Sequence, residues 1–161
     1  THSHLQIIHN SAMPAADSVD VYLDGMLIAD NFPFRNATPF LDVPGAKEFI
    51  VDIAAKTSTD NSNPLYSESF ILASGREYIV VASGLIVFGG ETYDPFKEFD
   101  LIPIMAAREE AMDVSMVDVM VFHGSTDAPI VDINELTLPV NELVNDIEYG
   151  VGFSRYHSLS I

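Results

Sequence analysis

IIHNSAMPAADSVDVYLDG (residues 7–25) and VFHGSTDAPIVDI (residues 121–133) state one pattern twice. His9 aligns with His123, Ser11 with Ser125, and Val19-Asp20-Val21 with Val131-Asp132-Ile133, once the first loop is allowed two extra residues. Such self-similarity is the signature of one folding unit used in tandem. It predicts a first repeat over residues 1–112 and the start of a second, incomplete repeat over residues 113–161.

Outward from the first segment, the apolar clusters are short, rich in Val, Ile, Phe and Tyr, and separated by Gly, Pro, Asn or Asp. That punctuation predicts an all-β chain. In Ser18–Leu23 the alternation sends Val19, Val21 and Leu23 inward and Asp20, Tyr22 and Asp24 to solvent, and Asp24-Gly25 supplies a tight hairpin turn into Met26–Ala29. Phe49, Val51 and Ile53 form another inward row, followed by a polar loop over residues 56–64. Further strands are expected over residues 5–9, 38–43, 66–72, 77–82, 85–88, 100–105 and 117–122. Two helical patterns compete. Residues 105–112 hold strong helix formers, and Val140, Leu143, Val144 and Ile147 after Pro139 have the i, i+3, i+4, i+7 spacing that predicts a short helix over residues 139–147.

The 161 residues are 48% hydrophobic, enough for an ordinary core, and contain no cysteine, which excludes disulfides and thiol chemistry. Twenty-four acidic against seven basic residues give a net charge of −17, which repels nucleic acid and anionic lipid surfaces. The longest apolar run, residues 78–90, is broken by Ser83-Gly84 and falls short of the roughly 18–20 residues of a membrane span, so no membrane insertion is expected. No basic stretch precedes the first apolar residues as in a signal peptide, although a processed exported chain reads the same way.

The repeated His, Ser and Asp raise the question of a hydrolase, with Asp20 orienting His9 toward Ser11. No GxSxG turn exposes a nucleophile, so no catalytic residue is assigned. The preferred reading of His9, Ser11, Asp20, His123, Ser125, Asp127 and Asp132 is structural: His9 and His123 donate from the ring to loop carbonyls while Pro14 or Pro129 stiffens the bend. Asp20, Asp24, Asp127 and Asp132 are weak calcium candidates, since no DxDxDG spacing gathers them on one ion. No other cofactor is expected. His2 and His4 could chelate a transition metal but lack a fixed third ligand. Asn36-Ala37-Thr38 and Asp17-Ser18-Val19 match short glycosylation patterns. Tyr93, Phe96 and Phe99 read as packing across one end of the fold in preference to a contact patch.

HGSTDAPIVDI (residues 123–133) resembles the HASPDAPAVDVYVDG hallmark of the bacterial family known as domain of unknown function 4397. HNSAMPAADSVDVYLDG (residues 9–25) keeps its histidine, serine and VDVYLDG ending but departs by a two-residue insertion and the loss of Ser-Pro-Asp. FRNATPFLDVPG (residues 34–45) and SGREYIVVASG (residues 74–84) are similar to further strands of that family. The resemblance implies an antiparallel β-sandwich, Ig-like or transthyretin-like, used in tandem in exported or surface proteins, with no established catalysis. The second repeat then ends after its first few strands: the chain is expected to be a piece of a longer protein, or a half-sandwich finished by the first repeat or a neighbouring molecule. The functional expectation is a non-catalytic structural or adhesion module of an exported bacterial surface protein or extracellular assembly, contacting protein partners or itself through sheet edges or loops. A calcium- or carbohydrate-binding module and a hydrolase are the rivals.

Overall fold

A computed structural model describes residues 2–86, 94–136, 139–152 and 156–160. Its strands are β1 (His2–Asn10), β2 (Ser18–Leu23), β3 (Met26–Pro33), β4 (Leu41–Pro44), β5 (Glu48–Ala55), β6 (Tyr66–Ile71), β7 (Glu77–Ser83), β8 (Asp100–Ile104), β9 (Met116–Val119), β10 (Val131–Glu135), β11 (Asn141–Ile147) and β12 (His157–Ser160). The chain is all-β, with a single 3-10 turn at Pro14–Ala16 and no α-helix among the described residues. No helix there is long and apolar enough to cross a membrane.

Two four-stranded sheets, ordered β4-β1-β7-β8 and β3-β2-β5-β6, share one core. Period-2 alternation builds it: Leu5, Ile7 and Val80 come from one sheet and Val21, Val51 and Ile53 from the other, all at most 2% exposed. The strands pair antiparallel except β1 and β7, which run parallel from His4↔Glu77 to Asn10↔Ser83. Parallel pairing is possible there because the whole β2–β6 stretch separates the two strands in sequence. At the Asp24-Gly25 hairpin both residues have positive φ (47° and 80°), the twist that a two-residue turn requires.

Beyond residue 115 the chain forms two separate two-stranded sheets, β9-β12 and β10-β11. None of their residues belongs to the shared core. They are joined to the first part by polar contacts: the Asn10 amide donates to the Gly124 carbonyl at 2.9 Å, Ser83 Oγ lies 3.1 Å from the Tyr149 hydroxyl, and Arg108 stacks on Tyr156, 4.0 Å from its ring centre. A side chain at Gly124 would displace this amide, since a Cβ there would lie 2.1 Å from the Asn10 amide nitrogen.

Three expectations are corrected. The helix over residues 139–147 is the strand β11, and residues 105–112 form turns and bends. Val144 and Ile147 do share a face three residues apart, but through a bulge: Ile133 pairs with Val144 and Val131 with Ile147, so Asp132 on β10 opposes two residues, Asn145 and Asp146, on β11. Nor is the outer face of β2 wet. Asp20 and Tyr22 are buried because the polar loop 56–64 lies across them, Ser58 Oγ donating to Asp20 at 2.6 Å and Asn61 to Asp52 of β5 at 2.8 Å. Of the expected strand 85–88, Leu85 bridges to Glu98, and residues 87–88 lie outside the described residues. Phe99 packs edge-on against Tyr66 at 4.9 Å, Phe96 is half exposed, and Tyr93 lies outside the described residues.

Phe49, 1% exposed and stacked on Phe70, tests the shared core. Phe49→Ala is expected to lower the unfolding free energy by about 3–5 kcal/mol in denaturant titration, whereas Val114→Ala, fully exposed, should change it by less than about 0.5 kcal/mol.

Candidate functional site

His9 ends β1 where the chain leaves one sheet for the other, and its ring is buried against Phe32 and Phe34. Nε2 lies 2.9 Å from the Ala16 carbonyl, and the Ser11 backbone N–H points at Nδ1 at 3.3 Å. A carbonyl can only accept and an N–H can only donate, so the ring is the neutral Nε2–H tautomer. Burial pushes the His9 pKa below the ordinary 6.5, which keeps the ring in that form. The His9 main chain is used as well: its carbonyl accepts from Arg35 N at 2.8 Å and its N–H donates to the Asn36 carbonyl at 2.9 Å. The Ser11 hydroxyl donates to the Gly84 carbonyl at 2.6 Å.

Asp20 serves a bulge. Val19 pairs with Phe32 and Val21 with Ala29, so β3 carries one extra residue, and Asn31 there takes a left-handed φ of 49°. Its backbone N–H turns away from the ladder and is received by Asp20 Oδ1 at 2.9 Å. The asparagine tolerates this conformation better than a branched residue would.

The later segment repeats most of these bonds. His123 Nε2 lies 2.9 Å from the Pro129 carbonyl and Ser125 N lies 3.3 Å from Nδ1. The His123 carbonyl accepts from Gly150 N at 2.8 Å, and Tyr149 meets the ring edge-on as Phe34 does for His9. Asp132 Oδ1 receives Asp146 N at 2.8 Å, and Asp146 has φ 52°. Arg35 and Gly150, which hold the same place, share left-handed φ values of 67° and 77°. Ser125 differs from Ser11, its hydroxyl turning to Asp127 at 3.0 Å.

The three hydrolase candidates do not bond one another. Both His9 nitrogens are occupied, the Ser11 hydroxyl is given to Gly84, and Asp20 receives Asn31 N and Ser58 Oγ. The calcium candidates stay apart too: Asp24 caps Ile50 N at 2.8 Å, while Asp20, Asp127 and Asp132 each serve local backbone or hydroxyl groups. Among the described residues the one three-residue group with donor atoms within 4.8 Å of each other is His4, Glu77 and Glu109. Reading the sequence found His4 but neither glutamate. Only the β1–β7 register and the loop after β8 bring them together. Hydrogen bonding to Glu109, opposed by some desolvation and aided by the charges of Glu109, Asp42 and Glu77, raises the His4 pKa above 6.5.

The fold and these bonds define an all-β protein in which a neutral histidine fixes a chain crossing and an aspartate fixes a bulge. The chain belongs to the family described as Domain of unknown function (DUF4397), whose model matches residues 3–134 and so runs through both histidine segments. No curated protein and no solved structure matches it.

Two predictions follow from this geometry. Because folded His9 holds a proton less well than the unfolded chain, its contribution to stability is complete above pH 6.5 and is lost as the pH falls from 6.5 through the folded pKa. Chemical denaturation should therefore show His9→Gln to be less acid-sensitive than the parent chain between about pH 6.5 and 5, where most carboxylates are still charged. Asp20→Ala removes the buried acceptor of both Asn31 N and Ser58 Oγ and should cost about 2–4 kcal/mol, against less than about 1 kcal/mol for the exposed Asp132→Ala, both read from thermal melts.

Proposed function

We propose that this chain is a non-catalytic structural and adhesive module of an exported bacterial surface protein or extracellular assembly. In this reading residues 1–112 form an Ig-like β-sandwich, residues 113–161 begin a second copy of it, and contacts are made through open strand edges. The recurrence of the histidine-to-carbonyl and aspartate-to-bulge bonds around His9 and His123 supports the duplication. The engagement of both His9 ring nitrogens, the Ser11 hydroxyl and the Asp20 carboxylate in holding loops and a bulge supports a structural role for the motif over a hydrolytic one.

The observation that carries the reading is a difference between equivalent strands. β2 has neighbours on both sides, β3 and β5, and β1 lies between β4 and β7. Among the described residues β10 pairs only with β11, and β9 only with β12. Val19 and Val21 are buried, while their counterparts Val131 and Ile133 are only half-buried and line, with Phe122 and Ile147, a cleft of about 520 Å³. A strand with one edge unpaired among the described residues, beside an unfilled apolar cleft, is suited to strand addition, in which main-chain bonds give affinity and alternate side chains give specificity. The acidic surface limits indiscriminate clumping and leaves that edge as the selective contact.

A fluorescent peptide with the sequence of β5, EFIVDIAA, is the direct probe of the β10 edge, because β5 is what covers β2 in the first copy. The peptide is expected to bind saturably at micromolar concentration, and Ile133→Lys is expected to abolish binding while leaving the far-ultraviolet circular dichroism unchanged. A chain that ignores the peptide and sediments as a monomer at every concentration defeats the edge-contact reading. Turnover of any substrate in an esterase and peptidase panel defeats the non-catalytic one.

A further inference from the structure

We propose that His4, Glu77 and Glu109 form a binding site for one first-row divalent cation of the zinc type. It is independent of the edge-contact reading and lies on the opposite end of β1 from His9.

The site is built on a row across three strands. His4 of β1 pairs with Asp42 of β4 on one side and with Glu77 of β7 on the other. The loop after β8 brings Glu109 onto this row, its backbone N–H donating to Glu77 Oε2 at 2.8 Å and its carboxylate meeting His4 Nδ1. His4 N donates to the Arg76 carbonyl at 2.9 Å, which holds the imidazole's strand against the start of β7. One donor atom from each of His4, Glu77 and Glu109 thus lies within 4.8 Å of the others, on two paired strands and a loop bonded to one of them.

Three features make this arrangement suit a metal ion better than a plain ion pair. The first is charge: three carboxylates surround one imidazole, and among the described residues no lysine or arginine lies within ion-pairing distance of Glu77 or Glu109. A divalent cation relieves that like-charge crowding directly. The second is the outer partner of the ring. His4 Nε2 faces Asp42 Oδ1 at 3.4 Å, a carboxylate placed to hold the proton on Nε2 when a cation takes the place of the proton that Nδ1 shares with Glu109. The third is the donor set, one imidazole nitrogen with carboxylate oxygens, which fits zinc and its neighbours and not calcium, whose ligands are all oxygen. The half-exposed ring leaves a coordination position for water.

The test is zinc titration of the full chain by calorimetry, with cobalt absorption as a second readout of ligand geometry. One zinc per chain is expected. His4→Ala and Glu109→Gln should each weaken it at least about tenfold, as removing one of three protein ligands does, and His2→Ala should leave it unchanged. Circular dichroism checks that these exposed substitutions leave the fold intact. Equal zinc affinity in the parent chain and His4→Ala overturns the proposal, as does loss of binding in His2→Ala, which would assign the metal to the terminal histidine pair.

Discussion

Two chain crossings between the core sheets meet at His9. Its ring receives the loop that carries β1 over to β2, through the Ala16 carbonyl and the Ser11 N–H, and its main chain holds the return from β3 to β4, through Arg35 and Asn36. A crossing loop brings several backbone groups away from any ladder, and those groups are costly if buried unpaired. A neutral imidazole is suited to the position because it offers one donor and one acceptor on opposite sides of a flat apolar ring. Packing against Phe32 and Phe34 and bonding to the loop are therefore satisfied by the same side chain.

The aspartate of the VDV triplet answers a related problem. A bulge bends β3 over the core but turns one N–H out of the ladder, and Asp20 restores its partner. Asp20 is then buried by neutral donors alone, Asn31 N and Ser58 Oγ. The loop 56–64 is thus part of the fold, since Ser58 and Asn61 each donate a hydrogen bond to a buried carboxylate, Asp20 and Asp52. In the later segment the same bulge and the same aspartate recur with no such loop over them, and Asp132 stays exposed. The pattern is kept where the backbone requires it, while burial follows from what is packed on top.

The large negative charge is distributed with similar economy. Carboxylates near the ladders are bound by backbone N–H, hydroxyl or amide groups, as at Asp20, Asp24 and Asp52, and among the described residues lysine and arginine make two ion pairs, an exposed one between Lys56 and Asp17 and a more covered one between Arg108 and Asp118. His4 is the exception, an imidazole encircled by acids.

Period-2 alternation and the Asp-Gly turn were enough to read most strands from the sequence, because each depends only on neighbours along the chain. The histidine-to-carbonyl bonds were legible for the same reason: donor and acceptor lie seven residues apart at His9 and Ala16. The helix expected over residues 139–147 failed because a bulged strand also presents residues three apart on one face, and periodicity cannot separate the two without knowing that β10 lies alongside. Asp20 looked solvent-facing because alternation gives the side of a sheet but not what covers it, and its cover comes from Ser58, 38 positions away. The His4, Glu77 and Glu109 group was invisible because its members are far apart in the chain and meet only through a parallel pairing and a loop. The sequence by itself thus determined the all-β class, the repeated motif and its local bonds. Only the tertiary structure decided which faces are buried, which edges stay open and which distant acids share one imidazole, since those depend on contacts between segments that local pattern does not encode.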